Sequence, residues 1–298
     1  MNVFLTGSTG FVGGEILKQL LDAGHRVRCL VRSGSENKLA PHPRMEVRSG
    51  DATEPDSLNG ALANCDAVIH LVGIIREFPY RGITFQKLHV EATRNILRAA
   101  STQGVARYLH MSANGTRENA VTPYHQTKWQ AEEAVRGSGL DWTIFRPSLI
   151  FGAHGEFVTM LANLIRKFPV VPVFGDGRYR MTPVAVEDVA KGFVAALNRP
   201  ETIGQIYHCG GAKSYSYDEM LDVFGKVLGK GRVLKIHQPL ALMKPAVSLL
   251  ESIPAFPITS GQLTMLIEGN ECDSKPWGDA LGIDPISLEE GLKRIFGH

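Results

Sequence analysis

Long apolar runs are missing from this chain: no uninterrupted stretch reaches the roughly 18 residues that a membrane-spanning helix needs. Cysteine is scarce. The four present, Cys29, Cys65, Cys209 and Cys272, share neither metal-ligand nor redox spacing, so they read as reduced thiols of an intracellular protein. The ten histidines form no HExxH or comparable cluster, and no metal site is expected. An excess of either charge is also absent. With 32 basic and 30 acidic residues the net charge is +2, which argues against nucleic acid as a partner, because a phosphate-tracking surface shows as a basic surplus. There are no repeats and no low-complexity tracts. The first strand starts at residue 2, which leaves no stretch for a signal or transit peptide, so a cytoplasmic location is expected. What remains is a chain of 298 residues, 44% hydrophobic, long enough for one large or two modest domains with a sizeable core.

The most informative stretch is the first. Val3 to Leu5 is a short apolar run that reads as a buried strand. Gly7, Gly10 and Gly13 follow at a spacing of three, and Val12, Ile16, Leu17, Leu20 and Leu21 then recur at helical spacing. Gly24 is a helix stop signal. Strand, glycine turn and helix in that order form a phosphate cradle. Gly7 permits the tight turn, Gly10 lets backbone approach a pyrophosphate, and Gly13 lets helix and strand pack closely. Thr9, Phe11 and Val12 stand at the helix N-terminus, whose free N–H groups and dipole favour an anion. The expected ligand is a dinucleotide; the bland alternative is a glycine turn that binds nothing.

Along the rest of the chain, strands are expected at Arg26 to Val31, Met45 to Arg48, Ala67 to Gly73, Arg107 to Ser112 and Trp142 to Phe145. Helical spacing runs between them over about Pro55 to Ala63, Thr84 to Gln103 and Tyr124 to Gly137. This alternation predicts an α/β fold, a doubly wound parallel sheet over residues 1–150. Residues 151–298 read as a smaller, mostly helical substrate-side region, with segments around 180–210 returning to the first domain. Helices are expected at Glu156 to Lys167 and Val186 to Asn198, and a strand at Gln205 to Cys209. Capping boxes are expected at Ser216–Glu219 and Ser287–Glu290. Pro239 to Phe256 is apolar but interrupted by Lys244, Pro245, Glu251 and Pro254. The usual reading is a helix packed over the substrate cleft; the other is a surface for a peripheral membrane or protein partner.

Ligands of such sheets sit beyond the carboxyl ends of the strands. There the chain has Tyr124 and Lys128, four apart on one helix face. A neighbouring ammonium favours the phenolate and is expected to lower the tyrosine's pKa, making it a general acid or base. The lysine is expected also to hold the ribose hydroxyls of a nicotinamide. His110 and His125 read as satisfied structural histidines. At the end of the second strand, where an NAD site usually has a carboxylate for the ribose hydroxyl, the chain has Leu30-Val31-Arg32-Ser33. An arginine pairs with a 2′-phosphate, so NADP is preferred over NAD.

These motifs make the chain resemble the extended short-chain dehydrogenase/reductases, a family with a Rossmann fold. They are Thr6-Gly-Ser-Thr-Gly10-Phe-Val-Gly13, Gly50-Asp51, His70-Leu-Val-Gly73, Tyr124/Lys128, Arg146-Pro-Ser-Leu-Ile150-Phe-Gly152 and Val186-Glu-Asp188-Val-Ala. The resemblance implies Asp51 and Ala52 at the adenine, Leu71, Val72 and Gly73 along the pyrophosphate and ribose, and Pro147 to Ile150 near the carboxamide. Arg180 falls where sugar-nucleotide members contact substrate phosphate; Met181 follows where an acid is usual. Two further departures stand out. Ala113 occupies the place of the family's substrate-polarising Ser or Thr, leaving Ser112 or Asn114 as substitutes. His89 stands where Asn is frequent. Both look like the atypical branch that includes the accessory subunit of respiratory complex I and its bacterial relatives, as does the run from Ile258 to Leu266. Two functions follow as expectations: an NADP-dependent oxidoreductase or epimerase/dehydratase acting on a small molecule, or a cofactor-holding scaffold whose partner surface does the work. The two long helices often form dimer faces in the wider family, so homodimer and monomer both stay open.

Overall fold

The computed structural model describes residues 1–251, 253, 256 and 258–297. The chain divides into two compact units, one formed by Met1–Arg146, Val189–His208 and Pro276–Ile283, the other by Pro147–Asp188, Cys209–Lys275 and the residues from Asp284 on.

In the first unit, apolar runs separated by amphipathic stretches build a seven-stranded sheet. Its strands are β1 (Asn2–Thr6), β2 (Arg26–Val31), β3 (Met45–Ser49), β4 (Ala67–His70), β5 (Arg107–Met111), β6 (Asp141–Pro147) and β7 (Gln205–Cys209). The order across the sheet is β7-β6-β5-β4-β1-β2-β3, and every pairing from β3 across to β6 is parallel. The chain starts in the middle, winds outward one way through β2 and β3, then returns to the other side at β4. The carboxyl ends of β1 and β4 therefore border the switch point, where open α/β sheets bind their ligands. Helices α1 (Phe11–Asp22), α2 (Ala92–Thr102) and α3 (Pro123–Arg136) cover the faces. Phe4, Leu62, Val68, Ile96, Tyr108 and Ile144 form one core, each side chain contributing about 1.5–3 kcal/mol by leaving water.

Three elements differ from the sequence reading. Residues 55–63 make only a 3₁₀ turn, Pro55–Leu58, because Gly60 and Asn64 adopt positive φ (67° and 61°). The helix expected over 84–103 is α-helical only from Ala92; Gln86–Glu91 is a π-helical turn. Ser287 accepts a hydrogen bond from the Glu290 N–H, but the Glu290 carboxylate pairs with Arg294 rather than closing a capping box. The return of Pro276–Ile283 to the first unit had no signal in the sequence. Trp277 anchors it: a Cβ on Gly192 would lie 2.7 Å from its indole nitrogen.

The second unit packs Phe151, Leu161, Val173, Met220, Phe224 and Leu292 around two-stranded pairings such as Ile150–Phe151 with Val184–Ala185. Tyr217–Val227 starts with the full capping box at Ser216 and Glu219, and Ser260–Glu268 with another at Thr259 and Gln262. Within Pro239–Phe256 the helix is Leu240–Leu250; Pro254 lies outside the described residues. In that helix only Val247 is buried, while Leu242 and Leu249 are 68% and 78% exposed.

Helix α3 is pinned to the sheet by a buried ion cluster. Glu132, fully buried, accepts from Arg146 (2.8 and 2.6 Å) and Arg136 (2.9 Å), and both guanidinium groups lie over the Trp129 ring. Removing one partner of such a cluster strands the others without a counter-charge. Glu132→Ala is expected to cost about 3–5 kcal/mol of stability in urea denaturation; a loss below about 1 kcal/mol would show the cluster to be a solvated surface pair.

Candidate active site

The phosphate cradle depends on close backbone approach. Gly7 has φ 79°, a left-handed conformation, and a Cβ there would stand 3.2 Å from that of Leu71. A Cβ on Gly13 would fall 2.0 Å from the Gly7 carbonyl oxygen, so any side chain would drive α1 away from β1. Gly10 is the N-cap of α1, its N–H donating to the Gly7 carbonyl at 3.0 Å. No side chain caps α1 and its first turn carries no acid, which leaves its N–H groups and positive dipole end for an anion. Thr9 and Gly10 are exposed there, and Phe11 and Val12 half-buried.

Around this turn, Arg32 is exposed just beyond β2 and makes no ion pair among the described residues; Gly34, at φ 83°, turns the chain back after it. The Asp51 carboxylate accepts from the Thr53 N–H and hydroxyl, both at 2.8 Å, and the Ala52 carbonyl accepts from the Asn95 amide at 3.1 Å. Leu71 to Gly73 run on from β4. A one-way chain of buried hydrogen bonds places them. Thr93 donates to the His89 carbonyl at 2.6 Å, so its oxygen accepts from His70 Nε2–H at 3.2 Å. His70 Nδ1 in turn accepts from the Thr6 hydroxyl at 2.8 Å, and the Thr6 oxygen accepts from the Leu71 N–H at 3.3 Å. Burial holds His70 neutral, its pKa lowered to about 3, which this network of neutral donors and acceptors requires.

Lys128 is 3% exposed. Its ammonium donates to the Met111 carbonyl at the end of β5 (3.1 Å) and would lie 3.0 Å from a Cβ on Gly73. A side chain at residue 73 would crowd the lysine's end where it reaches the strand ends. Desolvation lowers its pKa to about 8, against the pull of Glu132 one helical turn on. Tyr124 is half-buried and its ring meets Phe85, His89 and His125 edge-on at 5.7, 5.4 and 5.1 Å. Its phenol pKa is pushed up to about 12 by desolvation, opposite to the expected depression, and the Lys128 ammonium donates to a backbone carbonyl.

The Ser112 hydroxyl is buried and lies 3.4 Å from that of Thr116. Asn114 is buried too, its carbonyl accepting from His208 Nδ1–H on β7 at 2.7 Å. His110 is a correction: neither ring nitrogen has a hydrogen-bond partner among the described residues, although the ring stacks on His70 at 5.7 Å. Pro147, Ile150 and Arg180 belong to the second unit. Pro147 is buried and Ile150 half-buried. Arg180 is ringed by Glu219 (3.5 Å), Glu271 (3.4 Å) and both Ser214 oxygens (3.1 and 3.0 Å). Among the described residues there is no cluster able to hold a metal ion, and no helix long and apolar enough to cross a membrane. The residues missed by the sequence reading are Thr6, Thr93 and Asn95, which position loops, and Glu132. Only Glu132 left a signal, the Lys128-Glu132-Arg136 spacing of a single helix face.

A model of the NAD dependent epimerase/dehydratase family matches residues 3–210. The chain belongs to that family. It is 28% identical over 298 residues to NADH dehydrogenase [ubiquinone] 1 alpha subcomplex subunit 9, mitochondrial, of Arabidopsis thaliana, covering 96% of this chain and 71% of that protein. It is likewise 28% identical over 239 residues to the ceramide reductase of Caulobacter vibrioides, covering 80% and 74%. The UDP-glucose 4-epimerase of Thermotoga maritima superposes with a TM-score of 0.76 at 20% identity, covering 100% of this chain and 98% of its own, a likeness of fold.

Lys128 gives the site a pH signature. The fold lowers its pKa from 10.5 to about 8, so between those values the unfolded chain binds the proton more tightly and stability rises with pH. At pH 7 the buried charge is a net cost. Lys128→Met is expected to be more stable than wild type by on the order of 2 kcal/mol at pH 7, the gap closing towards pH 10. Denaturant titrations at both pH values check this; a gap that does not change with pH would contradict it.

Proposed function

We propose that this chain is an NADPH-dependent oxidoreductase that reduces a carbonyl group of a small molecule. The observation that carries the reading is the meeting of Lys128 with Gly73, which brings the Tyr124 helix to the strand ends beside the glycine turn. Gly7, Thr9, Gly10, Phe11, Val12 and Gly13 would hold the pyrophosphate, Asp51 and Ala52 the adenine end, Leu71 to Gly73 and Lys128 the ribose side. The cradle fits such a group: the first turn of α1 is uncapped, and no side chain stands at Gly7 or Gly13 to fill it. The unpaired Arg32 supports a 2′-phosphate on the adenosine ribose and hence NADP over NAD. When bound, that cofactor supplies the hydride.

The protein's part is to bind, orient and move a proton. A phenol with a pKa near 12 stays protonated at neutral pH and donates to a developing alkoxide. Lys128 is an ammonium at pH 7, a fixed positive charge near the strand ends. Asn114, its amide oriented by His208, would polarise the substrate oxygen in place of Ala113, with Ser112 turned towards Thr116.

One observation favours a second reading, a cofactor-holding accessory protein. The helix Leu240–Leu250 exposes Leu242 and Leu249, a surface suited to a partner or a membrane face, and relatives include subunits of NADH dehydrogenase. Absorbance at the nicotinamide band separates the two. NADPH consumption with a panel of aldehydes and ketones, cut at least about 10²-fold in Tyr124→Phe, supports the enzyme. Turnover unchanged in Tyr124→Phe, or none with any carbonyl, would overturn it. Arg32→Glu is expected to raise the Kd for NADPH about tenfold to a hundredfold and leave that for NADH nearly unchanged. Equal effects on both would refute the phosphate contact.

A further inference from the structure

The π-helical turn Gln86–Glu91 is the most unusual piece of backbone in the first unit. Such turns are rare and widen a helix by one residue, at a cost that local sequence does not explain. This one carries His89 on its inner side, 1% exposed. The ring stacks on Phe85 at 5.2 Å and meets the Tyr124 ring edge-on. Its Nδ1 lies 2.9 Å from the Thr127 hydroxyl oxygen. The Thr127 hydroxyl also lies 2.8 and 3.0 Å from the Pro123 and Tyr124 carbonyl oxygens. His89 Nε2 lies 3.2 Å from the Ile74 nitrogen and 3.0 Å from the Ile74 carbonyl oxygen, so either neutral tautomer joins the ring both to that residue's backbone and to Thr127. Ile74 follows Gly73 directly; Thr127 lies between Tyr124 and Lys128. The widened turn also loosens the helix at His89, whose carbonyl takes the Thr93 hydroxyl at 2.6 Å.

We propose that His89 is the positioning residue of this site: a neutral bridge, delivered by the π turn, that fixes the loop after β4 to the first turn of α3 and so sets Tyr124 and Lys128 against the nicotinamide. The groups facing it are Lys128, whose charge disfavours protonation, His70, and the neutral side chains of Tyr124, Thr127 and Phe85. The π turn follows from the bridge: a ring bonded to two separate elements has to be presented one residue out of α-helical register. This inference rests on the cofactor reading above for what the bridge positions; the bridge itself rests on the contacts of the His89 ring with Ile74 and Thr127.

The test therefore has two arms. In the full chain without cofactor, ¹⁵N-histidine NMR is expected to show His89, assigned by its loss in His89→Phe, as one fixed neutral tautomer, unchanged from pH 6 to 8. A ring that titrates in that range, or one that averages between the two tautomers, overturns the bridge whether or not a nucleotide binds. In the second arm NADPH is titrated by nicotinamide fluorescence. His89→Phe keeps the stacking and removes both hydrogen bonds; it is expected to fold with wild-type circular dichroism, raise the Kd about tenfold and lose the change in nicotinamide emission. His89→Gln, whose amide can still accept from the Ile74 N–H, is expected to recover most of both. Wild-type affinity and emission in His89→Phe, or equal loss in the two variants, would reduce His89 to a packing residue. Failure of the wild type itself to bind NADPH refutes the cofactor reading and with it the positioning role.

Discussion

The contact between Gly13 and the Gly7 carbonyl is the constraint from which the rest of the site follows. A Cβ at residue 13 would overlap that oxygen at 2.0 Å, so α1 can start only where β1 stops. That proximity aims the uncapped first turn of α1 at the switch point between β1 and β4. It also leaves Leu71 against Gly7, so the segment after β4 borders the same turn.

The second layer is polar and buried. From Leu71 through Thr6, His70 and Thr93 to His89, each group donates once and accepts once, and the direction is consistent along the whole path. Such a network works only with a neutral imidazole at His70, and burial supplies that condition; His89 enters it through its backbone carbonyl. Two buried charges are then tolerated for different reasons. Glu132 is matched by two arginines and holds α3 in place; Lys128 donates to the Met111 carbonyl, with Glu132 one helical turn on, and is left at a cost to stability. A group kept at such a cost beside an open strand end is what a binding or catalytic site asks of its scaffold.

The legible part of the molecule is what short-range pattern dictates. β2 spans Arg26–Val31 as its alternation of arginine and apolar residues suggests, and the glycine spacing is spelled out in the first turn. The family and the doubly wound fold are readable because the strand–helix alternation is regular. The π turn was not readable, since helical spacing over 84–103 does not separate a π turn from an α-helix. The 3₁₀ turn at Pro55 was hidden because helical spacing over 55–63 says nothing about the positive φ of Gly60. Spacing put Tyr124 and Lys128 on one face but could not say where the ammonium points, or that burial raises the pKa of the phenol. For Arg180, sequence could not show two carboxylates from distant segments around it.

One fold hosts many functions, so likeness to an epimerase fold and to a subunit of NADH dehydrogenase are compatible in one chain. Whether the cradle holds a nucleotide is decided by a crystal structure grown with NADPH. Pyrophosphate density is expected on the first turn of α1, the 2′-phosphate against Arg32 and the nicotinamide between Gly73 and Tyr124. A nucleotide bound away from that turn, or crystals at millimolar NADPH with none bound, would contradict nucleotide binding there.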